Sequence, residues 1–101
     1  MADTHSISIT QGSDNIFADL GFEAEEAASL KIRADLMLDL KHHIQVSGWT
    51  EAQTAEILGE TSTRVNDLMN GEISQFTVDS LINLLVKVGM KVKIEVVHQA
   101  A

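Results

Sequence analysis

The sequence predicts a small, mainly α-helical single domain that carries one short β-strand near its C-terminal end. Its 101 residues are enough for one domain. Between residues 23 and 87 apolar residues recur at spacings of three and four, the period of an α-helix, and the chain has no proline to interrupt these runs. From residue 91 the spacing changes to two, which is the period of a strand.

The first part of the chain, residues 1–22, predicts an arm with a short helix, and residues 23–101 predict the domain itself. The isoleucines of Ile7–Ile9 alternate with a serine, a pattern that fits either an edge strand or a flexible arm. Ser13 or Asp14 can cap the short helix. Four apolar residues then follow that we expect to fix the arm to the core: Ile16, Phe17, Leu20 and Phe22.

The longest helical pattern covers residues 23–47. Acidic residues at its start suit the positive end of a helix dipole, and Gly48 suits its end. Its apolar residues form two stripes: Ala27, Leu30, Ala34, Met37 and Ile44 in one, and Ile32, Leu36 and Leu40 in the other. Because two stripes need cover on two sides, we expect a second layer beyond the domain's own core, for which a second copy of the chain is a candidate.

Three shorter helices follow, over residues 51–58, 62–69 and 77–87. Thr50 and Gln53 have the spacing of a capping box, in which each side chain bonds the other residue's backbone. Thr61 or Ser62 can cap the second of these helices, and Thr77 the third. With the helix over 23–47 and the short helix of the arm, these segments make five helices.

The C-terminal segment predicts a strand that needs a partner. Val92, Ile94 and Val96 alternate with charged residues, so one face is apolar and the other is solvated. A single strand leaves its backbone hydrogen bonds unmade. Its partner is either the Ile7–Ile9 segment or the same strand of a second copy. We therefore expect a homodimer with these three residues at its interface.

The short helices over 51–58 and 62–69 predict a helix-turn-helix unit. Ala55 is small enough for the two helices to cross closely, and Gly59 allows the turn between them. Three apolar residues then face the shared core: Leu58, Val65 and Leu68. The second helix presents its N-terminal end outward. An ordinary helical hairpin with a polar surface is the alternative interpretation.

The outward end of that second helix carries the candidate DNA-binding residues. Four of them are expected to face the major groove and the fifth to lie near the DNA backbone: Ser62, Thr63, Arg64 and Asn66, then Asn70. Arg64 is the sole base in the segment, and its guanidinium suits contact with guanine or with a phosphate.

The negative charge of the chain disfavours strong nonspecific binding to nucleic acid. Formal net charge is −8, and residues 1–26 hold six acids and no lysine or arginine. Residues 49–73 hold five acids against Arg64 alone. The same charge motivates a second hypothesis, a protein-binding module for a basic partner with little DNA affinity of its own.

Several other classes of protein are excluded or disfavoured. The chain has no cysteine and no apolar run near the roughly 18 residues of a membrane span. We expect a cytoplasmic location, since the N-terminal residues lack a secretory pattern. His42 and His43 are adjacent on a helix and point about 100° apart, so they predict a surface or partly packed pair and no metal site. No catalytic motif is present, and neither an enzyme nor a cofactor is expected.

Three segments resemble one family of regulators. These are "NIFADLGF" at 15–22, "WTEAQTAEILGETSTRVNDLMNGE" at 49–72 and "FTVDSLINLLVKVGMKVKIEV" at 76–96. Together they resemble the Cro/CI-type (XRE) helix-turn-helix regulators and, within them, the HigA-type antitoxins. The resemblance implies a five-helix, usually dimeric domain whose recognition helix enters the major groove of a palindromic operator. It also implies an autorepressor that binds double-stranded DNA and, as a second partner, a toxin protein.

Two acidic residues depart from the family pattern. Glu51 stands where the family usually has a glutamine that reaches the DNA backbone, and Glu60 stands where an apolar turn residue is usual. A carboxylate near a phosphate is repulsive. We therefore expect DNA binding that is weaker than is typical of the family or that depends on the dimer.

Overall fold

A computed structural model of the protein describes residues 7–9 and 15–98. In chain order its elements are β1 (Ile7–Ile9), α1 (Ile16–Asp19), α2 (Ala24–Ser47), α3 (Glu51–Leu58), α4 (Ser62–Met69), a 3₁₀ turn (Ile73–Gln75), α5 (Val78–Lys87) and β2 (Ile94–Val96). The predicted fold class, a mainly α domain with five helices and a short C-terminal strand, is confirmed.

Side-chain caps mark the start of four of the five helices, and α2 begins after Glu23 without one. Thr50 and Gln53 form the predicted capping box of α3, and Thr77 caps α5. For α4 the cap is Thr61, the first of the two predicted alternatives. For α1 the cap is Asn15, whose side-chain oxygen accepts from the Phe17 backbone N–H at 2.9 Å. The predicted candidates for that cap, at positions 13 and 14, lie outside the described residues.

The core is built around α2, which contributes five buried residues from its two apolar stripes, while Leu30, Ile32 and Ala34 are half-buried. Twelve apolar residues make up this core: Ala27, Leu36, Met37, Leu40, Ile44, Leu58, Val65, Leu68, Phe76, Leu81, Leu84 and Leu85. Because part of each stripe is only half-covered by the chain itself, the second layer from another copy of the chain stays a prediction. The helix is covered by α5, by α4 and by the 3₁₀ turn, so its main exposed apolar positions are Leu38 and Val46.

The two strands pair within the chain. β1 and β2 run parallel, with Ile7 opposite Ile94 and Ile9 opposite Val96. The partner of the C-terminal strand is therefore the N-terminal segment, the first of the two predicted alternatives. Of the residues predicted at a dimer interface, Val92 packs against the core, whereas Ile94 and Val96 are exposed.

The short helix α1 is fixed to α2 by a polar contact. The Asn15 amide nitrogen donates to the Ala27 carbonyl at 2.8 Å, while Phe17 is half-buried and meets the Phe22 ring edge to face at 6.1 Å. The prediction that apolar side chains fix the arm to the core is wrong for three of the four, since Ile16, Leu20 and Phe22 are exposed.

Candidate nucleic-acid interface

Helices α3 and α4 form the predicted helix-turn-helix unit. Gly59 ends α3 with φ +68°, in the left-handed region that glycine adopts without steric cost. The turn closes through the Glu60 backbone N–H, which donates to the Ala55 carbonyl at 2.9 Å. Leu58, Val65 and Leu68 are buried as predicted. The shared core thus sets the angle between the two helices.

The N-terminal end of α4 points away from the core. Thr61 begins the helix, because its hydroxyl oxygen accepts from the Arg64 backbone N–H at 3.2 Å. Four of the five predicted DNA-binding residues are exposed around this end and along the same helix: Ser62, Thr63, Asn66 and Asn70. These hydroxyl and amide groups are hydrogen-bonding partners that suit the edges of bases.

Arg64 is placed differently from the other four. One guanidinium nitrogen, Nη1, donates to the Gln75 carbonyl at 2.6 Å, and the guanidinium carbon lies 4.2 Å from the centroid of the Phe76 ring. The Nε atom is 3.5 Å from the Glu60 carboxylate, and the side chain is 32% exposed. Contact with DNA, as the sequence predicted, would require the guanidinium to leave these partners.

Basic side chains of α5 and α2 also bond the protein itself. Lys87, in the last turn of α5, donates to the Leu58 carbonyl at 3.0 Å. Lys31 pairs with Asp35 at 2.8 Å. Glu51, by contrast, is exposed at the start of α3. The helix-turn-helix surface is therefore polar and acidic.

Three residues that hold the helix-turn-helix unit in place were not predicted from the sequence: Gln75, Phe76 and Lys87. The contacts of Gln75 and Phe76 join segments eleven and twelve residues apart, which helical periodicity cannot indicate. The position of Lys87 indicated its role only weakly: a basic side chain in the last turn of a helix interacts favourably with the unpaired carbonyls at a helix C-terminus. The partner of Lys87 is the end of another helix, and only the packing of α3 against α5 brings the two together.

The fold and this site define a helix-turn-helix protein, a class of DNA-binding regulators. A family model described as a helix-turn-helix domain matches residues 16–97 of the chain. Because the match covers most of the sequence, the chain belongs to this helix-turn-helix family. A search of curated proteins finds no match. Among the residues that the structure describes, no helix is both long and apolar enough to span a membrane.

Proposed function

We propose that the protein is a sequence-specific transcriptional regulator that reads double-stranded DNA with α4. The observation that carries this proposal is the exposed polar end of α4, held outward by a buried helix-turn-helix core. A recognition helix of this kind places its N-terminal residues against base edges in the major groove.

The side chains at this end suggest a division of roles. Ser62 and Thr63 lie in the first turn and can reach base edges with their hydroxyl groups. The amide of Asn66, one turn further along, suits the paired donor and acceptor of adenine. Asn70, which follows the helix, is assigned to the phosphate backbone, where such contacts fix the register of the protein without reading sequence.

The particular regulatory role proposed is that of an antitoxin that represses its own operon. Support for this role comes from the resemblance of residues 15–22 and 76–96 to HigA-type antitoxins, while the family match over 16–97 supports a helix-turn-helix regulator in general. We further propose that the protein acts in the cytoplasm as a homodimer. Two copies of α4 would then contact half-sites about one helical turn of DNA apart, roughly 34 Å.

A gel-shift titration on duplex DNA from upstream of the protein's own gene tests this function. Thr63→Ala should weaken binding by about 1–3 kcal/mol if the hydroxyl makes a base contact. Ser74→Ala, an exposed serine in the 3₁₀ turn outside α4, is the matched control and should bind like the unaltered protein. Equal binding by all three proteins would remove Thr63 from the interface, and no binding at low salt would reject the function.

A second candidate function, capture of a basic protein such as a toxin, is favoured by the surface of α1. Ile16, the first residue of α1, and Leu20, the residue that caps its C-terminal end, are 60% and 68% exposed and lie about one helical turn apart. Asp19 and Glu23 flank this pair, and both are exposed. A partner with an apolar pocket and a basic rim would complement such a surface.

The product of the reading frame next to the protein's gene is the probe for this second function. Leu20→Ser should weaken its binding at least tenfold in calorimetry if the pair is a central anchor, since such anchors cost 2 kcal/mol or more when truncated. Val86→Ser removes an equally exposed apolar side chain from α5 and serves as control. If neither substitution changes the affinity for the partner, the α1 surface is not the binding site for that partner.

A further inference from the structure

We propose that Arg64 positions the recognition helix and does not itself read DNA. It does so through the Arg64 clamp, defined as its contacts with the Gln75 carbonyl, the Phe76 ring and the Glu60 carboxylate. The clamp ties the first turn of α4 to the segment that leads into α5. This inference rests on the proposed DNA-binding function, because it assigns a role within that site.

The position of Arg64 in α4 is unfavourable for a cation without such partners. It is the third residue of the helix, where the helix dipole is positive and acidic side chains are preferred. The first turn of α4 contains no acid, and the compensating carboxylate comes from Glu60 in the preceding turn. The carbonyl and the aromatic ring add a charge-assisted hydrogen bond and a cation–π contact.

The far side of the clamp is itself firmly fixed. Phe76 is a core residue with 2% exposure, so its ring cannot follow Arg64 outward. From α2, Arg33 directs its Nη1 toward the carbonyls of Ile73 and Phe76, each at 3.5 Å. Two arginines from different helices thus approach the same 3₁₀ turn. Motion of α4 against this turn would break the contacts of Arg64 first.

A clamp matters here because α4 is short. Its eight residues make roughly two turns, and a helix of that length has little stability of its own. Val65 and Leu68 are buried in the core, and Met69 packs against it at the C-terminal end of α4. The clamp adds an anchor at the N-terminal end, which would approach DNA and where a small rotation would displace the hydroxyl groups of Ser62 and Thr63.

The first experiment measures the clamp in the free protein, without DNA. Protons of the Arg64 guanidinium that lie over the Phe76 ring should be shifted upfield in NMR spectra by the ring current. Phe76→Leu should abolish that shift while the chain stays folded. An Arg64 guanidinium at the usual position for a solvated arginine in the unaltered protein would overturn the clamp, whatever DNA the protein binds.

The second experiment separates positioning from direct contact, with a duplex selected from a random-sequence pool by the unaltered protein. Arg64→Met should weaken binding roughly three- to thirtyfold, the range of a partly desolvated cation–π contact. The slope of log affinity against log salt should stay unchanged, since loss of a phosphate contact would lower it by about 0.9. Phe76→Leu, which alters no DNA-facing side chain, should weaken binding to a similar extent.

Two further variants complete the design. The double variant Arg64→Met/Phe76→Leu should have the same DNA affinity as the single variant that binds more weakly, because either change already removes the contact between the two side chains. Ile44→Val removes one buried methyl group from α2, outside the clamp, and should leave DNA affinity unchanged. Additive losses, a lower salt slope or relaxed preference at one base pair in Arg64→Met would assign Arg64 to DNA and overturn the inference.

The two experiments also separate this inference from the function on which it rests. If no duplex is enriched from the random pool although the protein is folded, the proposed DNA-binding function fails, and the NMR result still decides whether the clamp exists. If a duplex is enriched but Phe76→Leu leaves its affinity unchanged, the function stands and the positioning role of Arg64 is rejected.

Discussion

At the scale of single residues, Thr61 and Arg64 show how far local sequence determines the site. The cap at Thr61 could be predicted as one of two neighbouring positions, because capping depends on residues three apart in the chain. The exposure of Ser62, Thr63 and Asn66 followed from helical spacing. The placement of Arg64 could not be predicted, since its partners Gln75 and Phe76 are brought to it only by tertiary packing.

The cap of α4 leads to a prediction about stability. Thr61→Ala removes the hydroxyl that accepts from the Arg64 backbone N–H and should lower the free energy of unfolding by about 0.5–2 kcal/mol. Urea unfolding followed by circular dichroism measures this loss. Ser62→Ala is the matched control, because Ser62 is the first residue of the helix and is exposed. An equal loss in both variants would show that Thr61 is not the cap.

At the scale of elements, the helix boundaries were more predictable than the contacts between helices. The predicted ranges 51–58 and 62–69 agree with α3 and α4 at both ends, because glycines and side-chain caps mark those ends in the sequence. How far the chain itself covers the two stripes of α2 was not predicted: five of the eight stripe residues are buried and three are half-buried. A stripe shows that a face needs cover, and whether the same chain supplies that cover depends on packing that periodicity does not encode.

The two environments along α2 give a second prediction about stability. Leu40 is 0% exposed, so Leu40→Ala should lower the free energy of unfolding by about 2–5 kcal/mol through lost burial and a residual cavity. Leu38, two residues away, is 61% exposed, and Leu38→Ala should change that free energy by no more than about 0.5 kcal/mol. Chemical denaturation measures both. A large loss in Leu38→Ala at micromolar concentration would indicate that another molecule covers this face.

At the scale of the whole molecule, charge distinguishes this protein from a strongly DNA-binding domain. Net charge is −8, and four basic side chains bond the protein itself: Lys31, Arg33, Arg64 and Lys87. The net charge follows from composition, but composition does not indicate which basic side chains are available to DNA. Lys91 and Lys93 are exposed beside β2, where a second copy could add to them.

Removal of one carboxylate from the candidate interface should therefore strengthen DNA binding. Glu51→Gln is expected to raise affinity for the operator about two- to fivefold at low salt, because it removes repulsion from a nearby phosphate in solvent. The gain should shrink as salt is added. Glu25→Gln makes the same charge change at the start of α2 and controls for net charge. Equal gains in both variants would place Glu51 away from the DNA.

The exposed strand β2 bears on how the protein assembles. We expect the exposed face of β2 to form a homodimer, so Val96→Lys should shift the protein toward monomer in light scattering at tens of micromolar. Val96 is 81% exposed, and the substitution should leave the fold intact. Val86→Lys, an exposed apolar position on α5, is the control and should remain dimeric. A monomer at this concentration for the unaltered protein contradicts the expectation.

An NMR titration of the isotope-labelled protein with its operator duplex shows which surface contacts DNA. If the polar end of α4 lies in the groove, the backbone amide signals of residues 61–70 should move most, and those of α1 should stay near their free positions. If the largest changes occur at α1 or β2 and α4 is unaffected, α4 is not the DNA-binding helix, and the DNA binds at another surface.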